Sequence, residues 1–230
     1  ELSGEEPVKS NWSDKNRSVK RAHIQHTLRI GDIEEAFIRT SDHDPSIKVL
    51  SANDILARAP EATARDPKPW LWQTHIRQAN GDLLLAKAIP DAVLGLDLTT
   101  ERKRYFFWVE ADRGTMPVVR TKQATSSVAR KFEAYLAGYH AGLHTTRYGI
   151  KNIRFLIITT SQKRIETMVA TFSKMANQKD CSMFLFADWH QVSQADHALQ
   201  ITWRNGNNAP VSLLSSPPAP KGENNGKHSN

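Results

Sequence analysis

The chain is predicted to be an α/β protein with a mixed sheet flanked by helices, and three observations carry that expectation. Strand-like and helix-like patterns alternate from Tyr105 to Asp188, as parallel strands joined by helical crossovers require. The run IRFLIITT at 153–160 is almost wholly apolar, which suits a strand covered on both faces. The pair Asn80-Gly81 lies between two alternating segments and predicts a tight hairpin turn.

Taken in order, residues 1–20 are polar and mixed in charge, without a sustained period, and read as an arm or linker. From Ala22, Ile24, Leu28, Ile33, Phe37 and Ile38 recur at helical spacing, predicting one amphipathic helix that ends near Ser41. His23 and His26 are three apart on it and could place both imidazoles near one metal or phosphate, although polar surface histidines are the favoured reading, and a carboxylate of Glu34 or Glu35 could join the site while at least one of the two is expected to be solvated. IKVLSANDILARA reads as a strand running into a short helix, and Pro60 to Pro69 as an exposed loop anchored by Trp70 and Trp72.

The segment HIRQANGDLLLAKAIPDAVLGL is expected to form a hairpin with Asp91 within its second strand. Tyr105 to Asp112 forms the next strand, which Gly114 ends. Thr125, Ser126 and Ser127 are N-cap candidates for a helix whose apolar positions Val128, Phe132, Leu136, Tyr139 and Leu143 step by three or four. Its His140 and His144 suit the negative end of the helix dipole better than a zinc ion. Ser161 to Asn177 is predicted helical, SMFLFAD a last strand ending at Asp188, and residues 205–230, rich in Asn, Ser, Pro and Gly, a disordered tail. The folded domain is therefore expected over 21–204.

The 230 residues carry 31 Lys and Arg against 24 Asp and Glu, a formal charge of +7. Between Glu101 and Lys131 there are eight basic residues against three acidic ones, so the excess is expected around the carboxylates described next. Carboxylates among cations suit a polyanion such as DNA whose backbone approaches a bound metal. One cysteine, Cys181, excludes an internal disulfide and a cysteine-based zinc site. No apolar run is long enough to span a membrane, so the expectation is a cytoplasmic protein with no membrane partner.

The chemistry concentrates between Ala88 and Tyr135. Period two puts Asp91 on one face of its strand, and Glu110 and Asp112 together on one face of the next. Lys131 and Tyr135, four apart on the following helix, lie one above the other. Mg²⁺ or Mn²⁺ takes oxygen ligands while holding phosphate, and a nearby lysine stabilises the charge that develops there. Asp91, Glu110 and Asp112 are thus candidate metal ligands and catalytic residues beside Lys131 and Tyr135. Arg102, Lys103, Arg104, Arg113, Arg120 and Lys122 are the candidate phosphate contacts.

The order Pro90-Asp91, Glu110-x-Asp112, Lys131-x-x-x-Tyr135 resembles the replication-relaxation family of plasmid and mobile-element proteins, itself similar to PD-(D/E)XK nucleases. The likeness runs from about Ala22 to Asp188. It implies a restriction-endonuclease-like fold, with Asp91 as the aspartate of the PD element and Glu110 as the acidic residue of (D/E)XK. Asp112 stands where that motif has lysine, which the resemblance would have Lys131 replace from the helix. The resemblance to the QxxxY element gives Tyr135 a DNA-contact role. Two functions stay open: a Mg²⁺-dependent DNA endonuclease of plasmid replication, relaxation or mobilisation, and a non-catalytic DNA-binding accessory that keeps the fold and works with other replication proteins.

Overall fold

A computed structural model describes residues 12–77, 80–119, 127–176 and 180–215, with the side chains of 12–22 left aside. Helix α1, Trp12–His43, is followed by β1, Ile47–Leu50, and two short helices, α2, Ala52–Leu56, and α3, Glu61–Ala64. The strands β2, Trp72–Arg77, and β3, Leu83–Ala88, precede β4, Ala92–Leu98, and β5, Lys103–Ala111. Then come α4, Val128–His140, α5, Leu143–Tyr148, β6, Arg154–Thr159, α6, Gln162–Phe172, β7, Phe184–Asp188, and α7, Trp189–Gln194. The last strands are β8, Trp203–Asn205, and β9, Pro210–Val211.

Seven strands form one sheet in the order β1-β4-β5-β6-β7-β8-β9, and β2 and β3 make a separate two-stranded sheet. The neighbours β5, β6 and β7 run parallel, as the crossover pattern predicted, while the other pairings are antiparallel. The sheet is mixed and covered on both faces, so side chains alternate between two cores. Trp108, Phe155, Ile157, Phe184 and Phe186 point to the face covered by α4, α6 and the β2–β3 hairpin. Phe107, Val109, Leu156, Ile158, Leu185 and Ala187 point to the face covered by α1 and α7. Among the described residues no helix is long and apolar enough to cross a membrane.

Several boundaries differ from the expectation. Helix α1 begins at Trp12, inside the stretch read as an arm. Among its described side chains Ile33, Ala36, Phe37 and Thr40 are buried, whereas Ile24, Leu28 and Ile38 are exposed, so the seat on the sheet lies in its C-terminal part. Asp91 lies in the link between β3 and β4, because the hairpin is β2 with β3 and ends at Ala88. Between the two strands Gly81 has φ 89°, the backbone that the predicted turn requires, while residues 78 and 79 lie outside the described residues.

The polar tail starts later than Asn205. There the Asn and Gly residues build a turn in which Asn205 Oδ1 accepts from the Asn207 and Ala209 amides and Asn208 has φ 61°. Strand β9 follows, Leu213 is fully buried, and the guanidinium of Arg154 donates to the Leu213 carbonyl at 2.6 Å. Two- and three-residue strands are too short to show a period. Residues 216–230 of the predicted tail, like Thr125 and Ser126, lie outside the described residues; Ser127 caps α4 by accepting from the Arg130 amide.

Trp72 is fully buried in the α4-side core, against Trp108, Tyr135 and Phe155. Its indole lies on Gly138, where a Cβ would stand 1.4 Å from Trp72 Nε1. Gly138→Ala is therefore expected to destabilise the fold by roughly 2–3 kcal/mol or more through overpacking. Gly31→Ala, on an open stretch of α1 with nothing within 4 Å of the new methyl, should instead stabilise by up to about 1 kcal/mol. Urea denaturation of the two variants checks both signs.

Candidate functional site

The same alternation that buries Trp108 turns Glu110 towards α4, and only 5 % of it is exposed. A carboxyl placed there needs partners, and α4 supplies two from adjacent turns. Lys131 Nζ donates to Glu110 Oε2, and the Tyr135 hydroxyl donates to Oε1 at 2.5 Å. Tyr135 is itself fully buried and belongs to the core as much as to the site.

Asp91 approaches from the neighbouring chain segment. Its amide donates to the Val109 carbonyl at 2.9 Å, and its Oδ2 accepts from the Ala111 amide at 2.8 Å, which fixes the side chain beside the end of β5. Its other oxygen lies 3.3 Å from His26 Nε2 on α1. Asp91, Glu110, Asp112, Arg113 and Lys131 line a cavity of about 160 Å³ at the C-terminal ends of the parallel strands. That edge is where open α/β sheets characteristically hold ligands.

Burial raises the Glu110 carboxyl from 4.5 to about 7, with the charge of Asp91 adding to the rise and Lys131 and Tyr135 opposing it. Burial pulls the Lys131 ammonium down, but Glu110, Asp91 and Asp112 outweigh it and the net direction is upward. Burial likewise takes the Tyr135 phenol well above its usual value, with Glu110 adding to it. Near neutral pH the site therefore holds a cationic lysine against a carboxyl poised to gain or lose its proton.

Asp112 reaches the cavity but is committed elsewhere. Arg164, on the first turn of α6, donates to both of its oxygens at 2.6 and 2.9 Å, and the buried Thr159 hydroxyl adds a bond at 2.5 Å. Arg164 also donates to the Met116 carbonyl at 2.6 Å, and the Trp189 indole to the Asp112 carbonyl at 3.3 Å. Asp112 thus fastens the chain beyond β5 to α6 and α7. Among the described residues no group of three or more His, Cys, Asp or Glu side chains is arranged to hold a metal ion.

The predicted cations divide. Arg113 lines the cavity, and Arg120 and Lys122 lie outside the described residues. Arg102, Lys103 and Arg104 do not surround the carboxylates, because they lie in the turn before β5 and at its start whereas Glu110 is near its end, roughly 20–27 Å away at the rise of a strand. Two of them are also paired, Lys103 with Glu101 at 2.9 Å and Arg104 with Asp97 at 2.8 Å. Of the α1 candidates only His26 meets the site; Glu35 pairs with Arg39 at 3.9 Å. His140 pairs with Asp180 at 3.0 Å, and His144 stacks on Tyr139.

Arg164 is the residue that the sequence patterns do not mark: no motif surrounds it, and it announces itself only through the Ser161 cap that starts its helix.

A family model described as replication-relaxation matches residues 1–152, more than half of the chain. No curated protein and no solved structure matches it. The matched span contains Asp91, Glu110, Lys131 and Tyr135 and stops short of Arg164 and Asp188, so it is shorter at that end than the resemblance read from the motifs.

The folded state holds Glu110's proton to about pH 7 and the unfolded chain only to about 4.5, so between those values the folded state binds more protons. This group's contribution to stability is full below the lower value and falls as pH rises through the upper one. Glu110→Gln should remove that slope in urea titrations run across the window. Carboxyl-carbon NMR should place the Glu110 titration near 7, moved down by Asp91→Asn and up by Lys131→Met, since Asp91 raises it and Lys131 lowers it.

Proposed function

The chain belongs to the replication-relaxation family, and from that premise we propose that it acts on DNA in the replication or relaxation of plasmids and mobile elements, as a metal-dependent phosphodiesterase. The observation that carries this reading is the meeting of Asp91, Glu110 and Lys131 in one small cavity. Two carboxylates are enough for Mg²⁺, which keeps several waters and shares its remaining positions with phosphate oxygens. Asp91 and Glu110 would hold it, while Asp112 stays with Arg164. Bound there, the ion would supply Lewis acidity and an activated water.

The protein's own groups complete the chemistry. Hydrolysis forms a bond from water oxygen to phosphorus and breaks the bond from phosphorus to one ester oxygen, leaving a phosphate end and a hydroxyl end. Lys131 brings a cation to the phosphate oxygens on which charge develops. Tyr135 holds Glu110 in place through its hydroxyl. Glu110 serves as a ligand only when ionised, so its elevated titration makes a proton compete with the ion for this carboxylate. Arg113, on the cavity wall, brings a further positive charge to the approach of a phosphate backbone.

The second reading, a DNA-binding accessory that retains the fold, draws on the occupied state of the carboxylates: both Glu110 oxygens accept side-chain hydrogen bonds and Asp112 is paired to Arg164.

Supercoiled plasmid incubated with the purified protein and Mg²⁺ or Mn²⁺ separates the two. The phosphodiesterase reading expects nicking that declines as pH falls and Glu110 takes up its proton, and that is lost in Asp91→Asn and Glu110→Gln while binding persists. Binding without nicking, indifferent to both substitutions, would establish the accessory instead.

A further inference from the structure

At the opposite end of β5 lies a hollow of about 970 Å³, at the top of the size range of small-molecule pockets. Its lining includes four cations, Arg58, Arg102, Arg104 and Lys151, against one acid, Asp97. The acid is matched by Arg104 at 2.8 Å, and among the described residues Arg102 and Lys151 have no ion-pair partner. Three positive charges therefore stand uncompensated by the hollow's own lining. The apolar part of the lining includes the half-buried Phe106 and Leu50. The hollow thus combines several cations with an aromatic side chain.

Arg102 adds an independent observation. It sits in the β4–β5 turn with φ 55°, a left-handed backbone that glycine or asparagine adopts more readily than arginine. An arginine kept where the turn itself favours glycine, with no partner for its charge among the described residues, is placed for its side chain rather than for the fold.

We propose that this hollow is a nucleotide-binding site, its phosphate held by Arg102, Lys151 and Arg58 and its base laid against Phe106. The phosphate and the flat base are the recognised chemistry, and they can come from a free nucleotide or from one unit of a single strand. The lining comes from the start of β5, the β4–β5 turn, α2 and the Gly149–Asn152 loop, and although β5 also carries Glu110 at its other end, no residue that lines the hollow lines the carboxylate cavity. Its failure would leave the phosphodiesterase reading untouched, and the reverse holds too.

Calorimetric titration of the full chain with thymidine monophosphate, and anisotropy with a labelled oligothymidylate, test it. At least one probe is expected to bind. Arg102→Gly and Lys151→Glu should each weaken binding about tenfold or more, as expected for loss of a charge-assisted contact. Asp91→Asn should leave it unchanged. The melting temperature of Arg102→Gly should not fall, because glycine relaxes the turn, so weaker binding cannot be blamed on misfolding. Binding of the monophosphate as tight as that of the oligomer identifies a free nucleotide; binding of the oligomer alone identifies a strand. The proposal is overturned if neither probe binds, if the double variant Arg102→Gly/Lys151→Glu binds like the parent, or if inorganic phosphate competes as well as the monophosphate.

Discussion

Glu110 is a carboxyl set by strand alternation among aromatic side chains, and an isolated carboxylate there would be expensive. Lys131 and Tyr135 make it tolerable only if α4 lies with one particular face, at one height, over β5. Removing one partner of such a buried pair generally costs roughly 3–5 kcal/mol, because the other is left unmatched. The pair therefore acts as a register key: it decides which turn of α4 faces the end of the sheet. Other details follow from that placement. Ser127 caps the helix one turn before Lys131, and Gly138, seven residues beyond it, falls under Trp72 and admits the indole. The same three side chains that seat the helix also line or support the carboxylate cavity, and the raised Glu110 titration is the trace of that burial.

The Asp112–Arg164 pair does a different job with similar components. A bidentate guanidinium bond plus the Thr159 hydroxyl closes the end of β5 onto β6 and α6. One acid of the three, though it lines the cavity, is thereby committed to other partners, and the other two differ in kind. Asp91 is held by a backbone amide and faces a histidine, whereas Glu110 is held by side chains that can rearrange.

Much of this was legible because strands with one or two buried faces carry their period openly. Alternation located Glu110 and Asp112 on one face of β5, the four-residue step paired Lys131 with Tyr135, and the apolar run at 153–160 announced a central strand. What stayed hidden was whatever depends on contacts far apart in the chain. No local feature links Arg164 to Asp112, or His26 to Asp91. The β8–β9 turn read as low complexity because Asn and Gly serve tight turns and disorder alike. Helix α1 showed the opposite failure: its period is real, but the sheet is shorter than the helix, so Ile24 and Leu28 repeat the pattern without meeting a core.

Charge density along the sequence misled for a related reason. Arg102, Lys103 and Arg104 are only a few positions from Glu110, and in a helix or turn they would have stayed near it. In an extended strand each residue adds about 3.4 Å, so the same short interval carries charge to the far edge of the sheet. Strand β5 is thereby polar in function as well as direction: acid and lysine meet at its C-terminal end, and unmatched arginine gathers at its N-terminal end. On the two proposals above, a polyanion would meet two unlike places, one holding a cation against phosphate and one holding phosphate directly. Because the two share a strand but no side chains, a substitution in either can be read without disturbing the other.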